Sequence, residues 1–305
     1  MYNNISAIII TFNPKISVLN ELIVNLKHQV DNIIVVDNAS KNANRIREIV
    51  DLGICYFSEI NNGIAFAQNV GIEKARELGS VAAVFFDQDS LPGKNLVQEL
   101  ISAKQSAEKN GIKVATVGPF YCDVRTGNYS HYVSSKFNNI DKISKVVSLN
   151  VLPEYQECDF IISSGSLVEL DVFLTVGKLN ESLFIDAVDI EWCYRALSLD
   201  FTTIVASNAT MLHEIGDDVI KFFGHEFTVN SPIRSYYYLR NMLYLTSLPY
   251  VPFIWKRKYL SKLIVFSLVS GIIYPNKIKR LKAIFWAVVD FFDGKLGACK
   301  HNIKN

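Results

Sequence analysis

Residues 80–90 read SVAAVFFDQDS, an apolar run that ends in two aspartates one residue apart. The apolar part predicts a β-strand buried on both faces, because short runs of this kind fill the centre of a sheet. Side chains two residues apart on an extended chain point the same way, so Asp87 and Asp89 lie side by side. The alternative is an aspartate that caps the following LPG turn.

Two neighbouring carboxylates at a strand end repel each other unless a cation joins them. Oxygen ligands favour a hard divalent cation, Mg²⁺ or Mn²⁺, and such ions commonly take phosphate oxygens as further ligands. The pair therefore predicts a metal–diphosphate site.

Apolar strands alternate with helical patterns through the first part of the chain. The predicted strands are 5–10, 31–38, 55–59, 80–86, 113–119 and 202–214, with a strand-rich stretch at 159–170, and the predicted helices are 16–29, 44–51 and 64–78, with another beginning in 186–199. This alternation predicts an α/β fold with a mostly parallel sheet and helices on both faces. Ligands of such sheets bind beyond the carboxyl ends of the strands, where the TFNP, DNAS, NNG and DQD segments fall.

Composition excludes several classes of protein. The chain has 305 residues, half of them hydrophobic, and a net charge of +1, which indicates a globular protein and gives no reason to expect a nucleic-acid partner. Its five scattered cysteines form no CxxC pair, so neither a zinc site nor a disulfide framework is predicted. This cysteine usage fits a reducing compartment, and we expect the cytoplasm.

The sequence changes character near residue 230, and we divide it into a catalytic domain (1–229) and a helical region (230–305). The helical region contains an aromatic helix, an apolar run and a last helix, at 231–248, 263–274 and 277–292. The apolar run is shorter than the roughly 20 residues of a membrane span. Lysine and arginine frame it, which predicts helices lying on an anionic membrane surface. The alternative is a helical subdomain packed on the core or at the interface of a homo-oligomer.

Seven segments follow one another over roughly residues 5 to 245: AIIITFNP, IIVVDNAS, NNGIAFAQNVGI, FFDQDS, SSGSLVELDVFLTVGKLNESLFID, VDIEWCYRA and HEIGD. With them the sequence resembles the inverting nucleotide-sugar glycosyltransferases of the second family, which have the GT-A fold. The DQDS form of the metal motif is most similar to bacterial rhamnosyltransferases. The resemblance also implies that His213, in the HEIGD segment, is a further metal ligand, since a neutral imidazole can complete a divalent-metal site. The alternative for a lone histidine is a structural role. The nucleotidyltransferase and dinucleotide-dependent oxidoreductase alternatives are disfavoured, because the first strand is followed by neither a glycine-rich basic loop nor GxGxxG.

The resemblance implies transfer of L-rhamnose from dTDP-L-rhamnose to a hydroxyl of a lipid-linked glycan. The pathway would be that of a bacterial surface polysaccharide, the O-antigen of lipopolysaccharide or a capsule. The enzyme would be peripheral, on the cytoplasmic face of the inner membrane. Two alternatives stay open: the same mechanism with another donor such as a UDP-hexose, and a non-catalytic scaffold in a polysaccharide assembly complex.

The resemblance also implies a nucleotide-sugar site. Its candidate residues are Thr11, Asp37, Asn62, Gly63, Asp87 and Gln88. A carboxylate at Asp37 can accept a hydrogen bond from the N–H of a uracil or thymine ring, and its alternative role is to close an Asx-turn. Asn62 and Gly63 precede a helix, where capping is the alternative to ligand contact. Asn69 and Gly71, within that helix, are interpreted as packing residues.

The acidic stretch VDIEW is the candidate catalytic segment, because an inverting transfer needs one general base to deprotonate the acceptor hydroxyl. Counting back from Arg195, the family frame E-D-x-D-x-x-x-R places the base on Asp189 and a second acid on Glu191. Val188 stands where the family has its first glutamate, and Asp186 is a rival base. Arg195 is a candidate support for the acids, with a surface salt bridge as the alternative.

The remaining candidates concern the acceptor and the diphosphate. Ser164, Gly165 and Trp192 are candidates for the acceptor side, with a buried core tryptophan as the alternative for Trp192. Arg234 and Arg240 are candidates to neutralise diphosphate charge, since a guanidinium matches phosphate geometry. Contact with the surface or with lipid headgroups is the alternative for both arginines.

Overall fold

The architecture is that of a computed structural model, which describes residues 4–51, 54–123, 131–134, 141–144, 153–213, 218–222, 225–229, 231–272 and 274–303. The strands are β1 (Ile5–Thr11), β2 (Asn32–Asn38), β3 (Tyr56–Ser58), β4 (Ala82–Asp87), β5 (Leu91–Pro92), β6 (Val114–Asp123), β7 (His131–Ser134), β8 (Asp141–Ser144), β9 (Tyr155–Cys158), β10 (Leu167–Glu169), β11 (Thr202–His213), β12 (Asp218–Phe222) and β13 (His225–Val229). The helices are α1 (Ile16–Leu26), α2 (Ala43–Arg47), α3 (Ile64–Glu77), α4 (Leu96–Lys109), α5 (Leu170–Val176), α6 (Val188–Leu197), α7 (Pro232–Ser247), α8 (Phe253–Ile272) and α9 (Lys277–Phe292).

One mixed sheet organises the described residues. Its strands lie in the order β3-β2-β1-β4-β10-β6-β11-β5, and β9 pairs with β11 outside this path. The first four strands in the chain are parallel, as predicted. In the half of the sheet beyond β4, β10 runs antiparallel to both of its neighbours, and β9 and β5 run antiparallel to β11. The sheet is therefore less parallel than the sequence pattern indicated.

Both faces of the central strands are buried. Ile8 and Phe85 belong to the apolar cluster on one face, and Ile9 and Phe86 belong to the cluster on the other. Side chains of α3, α5 and α6 cover the first face, and side chains of α1 and α4 cover the second. This two-sided burial explains why the strands read as continuous apolar runs, since consecutive side chains leave a strand on opposite faces.

The strand-rich prediction for residues 159–170 is wrong over most of its length. Only Leu167–Glu169 forms a strand, and α5 begins at the next residue. The preceding residues form a tight loop in which Gly165 has a positive φ of 77°. The Gly165 N–H donates to Phe85 O at 2.7 Å, and the Phe85 N–H donates to Ser166 O at 3.0 Å. Phe160, Ile161 and Ile162 thus lie in a loop beside β4 and not in a strand, and Ile161 is buried there.

The C-terminal helices pack against α6. Their shared core contains Tyr194 from α6 together with Tyr236, Trp255 and Tyr259 from α7 and α8. The Trp255 indole also donates a hydrogen bond to Asp159. On its inner side, the C-terminal region is therefore a helical subdomain packed on the core, which was the alternative to membrane contact. The division at residues 229 and 230 stays a prediction.

Candidate active site

The register of the sheet brings three predicted site residues to one edge. Thr11 at the end of β1 pairs with Asp37 at the end of β2. On the other side of β1, Ile10 pairs with Asp87 at the end of β4. Since parallel strands end at the same edge, the nucleotide and metal candidates share one site by topology alone.

Asp37 is 1% exposed and both of its oxygens are occupied. Thr11 Oγ1 donates to Oδ1 at 2.8 Å, the Ser40 N–H donates to Oδ2 at 3.0 Å, and the Ser40 hydroxyl donates to Oδ1. Ser40 Oγ in turn accepts from the Asn13 N–H at 2.7 Å. The turn-closing alternative is therefore present, and Asp37 joins the loops after β1 and β2. Direct contact of Asp37 with a base stays a prediction.

Gly63 lies against the backbone that leads into α6. It has a φ of 89°, and a Cβ there would lie 2.4 Å from Phe184 O. The next residue, Ile64, donates its N–H to the same oxygen at 2.7 Å. The N-cap of α3 is Gly63 without a side-chain cap, and the Asn62 N–H donates to Asn38 Oδ1 at 3.0 Å. The capping role predicted for Asn62 is wrong.

The packing interpretation of Asn69 and Gly71 is confirmed. Asn69 is buried and exchanges hydrogen bonds of 3.0 Å with the backbone of Leu179 in both directions. A Cβ on Gly71 would lie 2.2 Å from Ile8 Cγ2, so only glycine lets α3 approach β1 this closely.

The DQDS segment forms a supported turn at the end of β4. The Asp87 N–H donates to Ser164 Oγ at 3.2 Å, and Ser164 Oγ lies 2.6 Å from Ser90 Oγ. Gln88 Oε1 accepts from the Phe12 N–H at 2.8 Å, which ties this turn to the loop after β1. The Asp89 side chain is exposed at the surface of the turn. The turn thus leaves a carboxylate facing solvent at the sheet edge.

The metal-ligand prediction for His213 falls on a side chain outside the described residues. The backbone places the residue well, because Leu212 pairs with Leu91 and so brings the end of β11 beside the DQDS turn. Among the side chains that the structure describes, no three His, Cys, Asp or Glu residues gather as a metal site. The metal role of Asp87, Asp89 and His213 stays a prediction.

Asp186 and Asp189 lie on either side of the start of α6. Asp189 Oδ1 accepts from the Ile190 N–H at 2.9 Å, and its Oδ2 accepts from the Ser163 N–H at 3.3 Å. Burial raises the pKa of Asp189 to about 6, although these two backbone N–H groups lower it, and the Asp186 carboxylate adds to the rise. A carboxylate with a pKa near 6 is a better proton acceptor than an ordinary aspartate and is still ionised at neutral pH.

Glu191 is held quite differently on the same helix. It is 2% exposed. Arg195 donates to both of its carboxylate oxygens, from Nε to Oε1 at 2.9 Å and from Nη2 to Oε2 at 3.0 Å. The Tyr250 hydroxyl also donates to Oε1. Burial disfavours the charged guanidinium, but the pairing with Glu191 outweighs it and raises the pKa of Arg195. The surface-salt-bridge alternative is wrong, because this pair is buried. Glu191 is a structural acid.

Comparison with known proteins decides the family. Residues 6–165 match the family described as glycosyl transferase family 2. The chain is 32% identical over 309 residues to the dTDP-rhamnosyl transferase RfbF of Shigella flexneri, covering 99% of this chain and 100% of that protein. The chain belongs to glycosyl transferase family 2. It is a glycosyltransferase, and its alignment with the Shigella flexneri relative extends through the C-terminal region.

Solved structures confirm the predicted GT-A fold. GalNAc-T7, crystallised with UDP, GalNAc and Mn²⁺, superposes with a TM-score of 0.57 at 13% identity over 90% of this chain and 58% of its own. Residues 1–349 of Staphylococcus aureus TarS, in complex with UDP-GlcNAc, superpose with a TM-score of 0.56 at 15% identity over 96% and 82% of the two chains. At these identities the likeness establishes the fold of the glycosyltransferase alone.

Trp192 lies in the core of the glycosyltransferase. It is 4% exposed, its ring stacks on Phe173 at 5.8 Å, and its Nε1 donates to Gly177 O at 2.8 Å. A sugar platform needs an exposed ring face, so the structure favours the core alternative over the acceptor role.

Ser164 and Gly165 also lie beneath the surface. Ser164 is 2% exposed and binds the DQDS turn, and a Cβ on Gly165 would lie 2.8 Å from Pro119 Cγ. Both residues lie buried beside the DQDS turn and not on a surface that an acceptor could contact.

The two candidate arginines differ. Arg240 is fully buried, with hydrogen bonds to Gly297 O at 2.8 Å and Leu183 O at 3.2 Å, so the diphosphate role predicted for Arg240 is wrong. Arg234 is partly exposed and pairs with Asp186 at 2.7 Å, next to the acidic helix start. Of the two, only Arg234 is placed where it can meet a ligand.

The sequence reasoning missed Tyr250 and Asn241. Tyr250 donates to Glu191, and the buried Asn241 donates to the backbone before α6. Asn241 could have been noticed in the sequence, because it lies among the aromatic and apolar residues of α7 and a buried amide needs a hydrogen-bond partner. For Tyr250 no signal was present, because its partner is 59 residues away.

Replacement of Arg195 by methionine should destabilise the glycosyltransferase by about 3–5 kcal/mol, because it leaves Glu191 as a buried charge without its cation. Urea unfolding followed by circular dichroism measures this. The exposed pair Arg76–Glu73 provides the control, since Arg76→Met should cost at most about 1 kcal/mol. Equal losses in the free energy of unfolding for the two substitutions would show that the Glu191–Arg195 pair stabilises the fold no more than an exposed pair does.

Proposed function

We propose that the enzyme transfers L-rhamnose from dTDP-L-rhamnose to a hydroxyl of a lipid-linked glycan, with inversion at the anomeric carbon. The observation that carries the donor is the full-length similarity to a dTDP-rhamnosyl transferase. The observation that carries the chemistry is the position of Asp189: its carboxylate accepts from the Ser163 N–H, and the next residue, Ser164, binds the DQDS turn. The product would be a bacterial surface polysaccharide, an O-antigen or a capsule.

In this proposal Asp189 accepts the proton of the acceptor hydroxyl. The acceptor oxygen attacks the anomeric carbon from the face opposite the nucleotide. The bond from that carbon to the diphosphate oxygen breaks, and the nucleoside diphosphate leaves with the electron pair. Burial of Asp189 serves this step, because it brings the pKa of the base close to the operating pH.

Asp87 and Asp89 would hold a divalent cation, Mg²⁺ or Mn²⁺, with His213 as a third candidate. The donor set fits: it consists of carboxylate oxygens at a strand end, and Asp89 is exposed where diphosphate oxygens can complete the coordination. When bound, the cation would neutralise charge on the leaving diphosphate. Arg234 is available to bind the same diphosphate, at the cost of its contact with Asp186.

The outer sides of α8 and α9 support a peripheral location on the cytoplasmic face of the inner membrane. Large apolar side chains are exposed there: Phe253, Leu260, Ile264 and Val265 on α8, and Ile278, Leu281 and Phe285 on α9. Arg257, Lys262, Lys277, Lys279 and Lys282 are exposed among them. The sequence of α8 contains no acidic residue, and the one acid of α9, Asp290, is buried.

Apolar side chains interleaved with cations suit an anionic bilayer surface, where the former enter the acyl boundary and the latter meet the headgroups. In the described part of the chain no helix combines the length and the apolar character needed to cross a membrane. We propose that these two helices lie flat on anionic lipid and keep the active site near a lipid-linked acceptor.

Donor binding by titration calorimetry tests the function. With Mg²⁺ or Mn²⁺ present, we expect dTDP-L-rhamnose to bind at least tenfold more tightly than UDP-hexoses, and EDTA or Asp89→Asn to remove most of this affinity. Preference for a UDP-hexose would discard rhamnose and keep the mechanism. Tight binding that is indifferent to EDTA would remove the metal. Absence of binding to every donor would favour the scaffold.

Asp189→Asn should lower kcat by about 10²–10⁴-fold, the range general-base catalysis contributes, and leave donor affinity unchanged. In the wild-type enzyme kcat should rise with pH and reach half of its plateau near pH 6, because the base acts only when deprotonated. Transfer assays across pH measure both effects. Asp171→Asn, at an exposed position of α5, is the control. Wild-type turnover by Asp189→Asn would exclude Asp189 as the base.

Sedimentation with lipid vesicles tests the location. The wild-type enzyme should bind phosphatidylglycerol vesicles, more weakly at high salt, and bind phosphatidylcholine vesicles poorly. Ile278→Glu/Phe285→Glu should reduce this binding at least fivefold without unfolding, because both side chains are exposed. Leu199→Glu, an exposed position outside α8 and α9, is the control. Unchanged binding of the double variant would place the anchor elsewhere.

A further inference from the structure

The turn that leads into α6 has an unusual backbone. Phe184, Asp186 and Ala187 have φ values of 66°, 64° and 65°, so three of four consecutive residues have a positive φ and none is glycine. A residue with a Cβ is disfavoured in this region, and such a conformation persists only where the surroundings enforce it. The residues that enforce this turn therefore help to shape the site.

Asn241 on α7 is one of these residues. It is fully buried, and its Nδ2 donates to the carbonyl oxygens of Leu183, Ile185 and Asp186 at 2.9, 2.7 and 2.9 Å. An amide nitrogen has two hydrogens, so three carbonyls share them. Arg240 Nε donates to Asn241 Oδ1 at 3.0 Å, which fixes the amide with its nitrogen toward the turn.

The opposite side of the turn is held by α3. Phe184 O accepts the Ile64 N–H, and Gly63 leaves room for this contact. The turn is thus clamped between the start of α3, at the nucleotide side of the sheet, and the buried side of α7. Of the two, α7 makes the larger number of hydrogen bonds to the turn.

The conformation of this turn reaches the proposed catalytic group. Ala187 is the N-cap of α6, and its carbonyl accepts the Glu191 N–H at 2.9 Å, so the turn sets where the helix starts, two residues before Asp189. Asp186 Oδ2 is buried without a hydrogen-bond partner among the described residues. Relaxation of the turn would move both carboxylates relative to an acceptor, and displacements of about 1 Å can cost 10²-fold in rate.

We propose that Asn241 is a positioning residue for the transfer reaction: it holds the turn at residues 183–187 in its positive-φ conformation and so sets where Asp186 and Asp189 meet the acceptor. This inference rests on the proposed role of Asp189. It makes the C-terminal helical region part of the catalytic apparatus as well as a membrane-facing surface.

The test uses the full-length enzyme and separates kcat from donor binding. Asn241→Ala should lower kcat at least tenfold and change the affinity for the dTDP-L-rhamnose donor less than twofold, because the described hydrogen bonds of Asn241 go to the turn and to Arg240, and none goes to the strand ends that carry the nucleotide and metal candidates. Asn241→Ser, which keeps an oxygen for Arg240 and has one hydrogen in place of two, should lose less activity and serves if the alanine variant does not fold. Thr246→Ala on α7, whose hydroxyl bonds only to Leu243 O among described contacts, is the control.

A second substitution distinguishes positioning from plain packing. Glycine adopts the left-handed region without steric cost, so Ala187→Gly should restore kcat severalfold when added to Asn241→Ala or Asn241→Ser. Ala187→Gly alone is the reference for this comparison. A core residue that only fills space would show no such rescue.

The outcomes separate the two proposals. A folded Asn241 variant with wild-type kcat, a loss confined to donor affinity, or a loss that Ala187→Gly leaves unchanged would each overturn the positioning role and leave Asp189 as the base. Wild-type turnover by Asp189→Asn would instead overturn the proposed function itself. Loss of kcat with unchanged donor affinity and rescue by Ala187→Gly supports the inference.

Discussion

The close approach of Gly63 to the Phe184 carbonyl joins the two halves of the active site. On one side of this contact stand the strand ends and α3, which carry the nucleotide and metal candidates. On the other side stands the turn into α6, which carries the acids. A Cβ at residue 63 would lie 2.4 Å from the Phe184 oxygen, so the two halves meet only because residue 63 is glycine. This contact therefore helps to set the distance between the nucleotide candidates and the proposed base, together with the loop in which the Ser163 N–H donates to Asp189 and Ser164 binds the DQDS turn.

Three acids near the start of α6 have different roles because their surroundings differ. Glu191 is buried with the Arg195 guanidinium and the Tyr250 hydroxyl, and Arg195 in turn donates to the carbonyl oxygens of Val176 and Lys178, which joins α6 to the loop at residues 176–178. Asp189 is half-buried, and its described hydrogen bonds come from backbone N–H groups and not from a cation, so that loss of solvent leaves its pKa raised to about 6. Asp186 shares one oxygen with Arg234 and leaves the other without a partner among the described residues. The desolvated acid is the one suited to proton transfer.

The C-terminal helices have two faces with different physical character. The inner face is aromatic and polar, and it holds the turn before α6 through Asn241 and Arg240. The outer face exposes apolar and basic side chains of α8 and α9. Removing the whole region would disturb both faces together, because Arg240 also bonds to Gly297 O and the Cys299 N–H donates to Tyr237. Single substitutions are the way to separate anchoring from catalysis.

Much of the fold and of the candidate site could be predicted from the sequence. The predicted strands β1, β2 and β4 and helices α3, α6, α7 and α9 lie within a few residues of their predicted bounds, because their periodicity, flanking turns and burial agree. The DQDS motif and Asp189 could be singled out because chemistry restricts which residues can serve there. The loop at 159–166 could not, since its apolar sequence resembles that of a strand, whereas its backbone hydrogen bonds to β4 are made by Gly165 and Ser166 in a glycine turn.

The sequence by itself determined the alternation of strands and helices in the first part of the chain, the family and the candidate residues for diphosphate binding and proton transfer, because these depend on local pattern and residue type. Only the tertiary structure decided which charged groups are buried in pairs and which are desolvated alone. It placed Trp192 and Arg240 in the core, paired Glu191 with Arg195 and Tyr250, and set Asn241 against the turn before α6. The reason is physical: burial and partnership are properties of distances across the fold, and the partners of these groups lie far away along the chain.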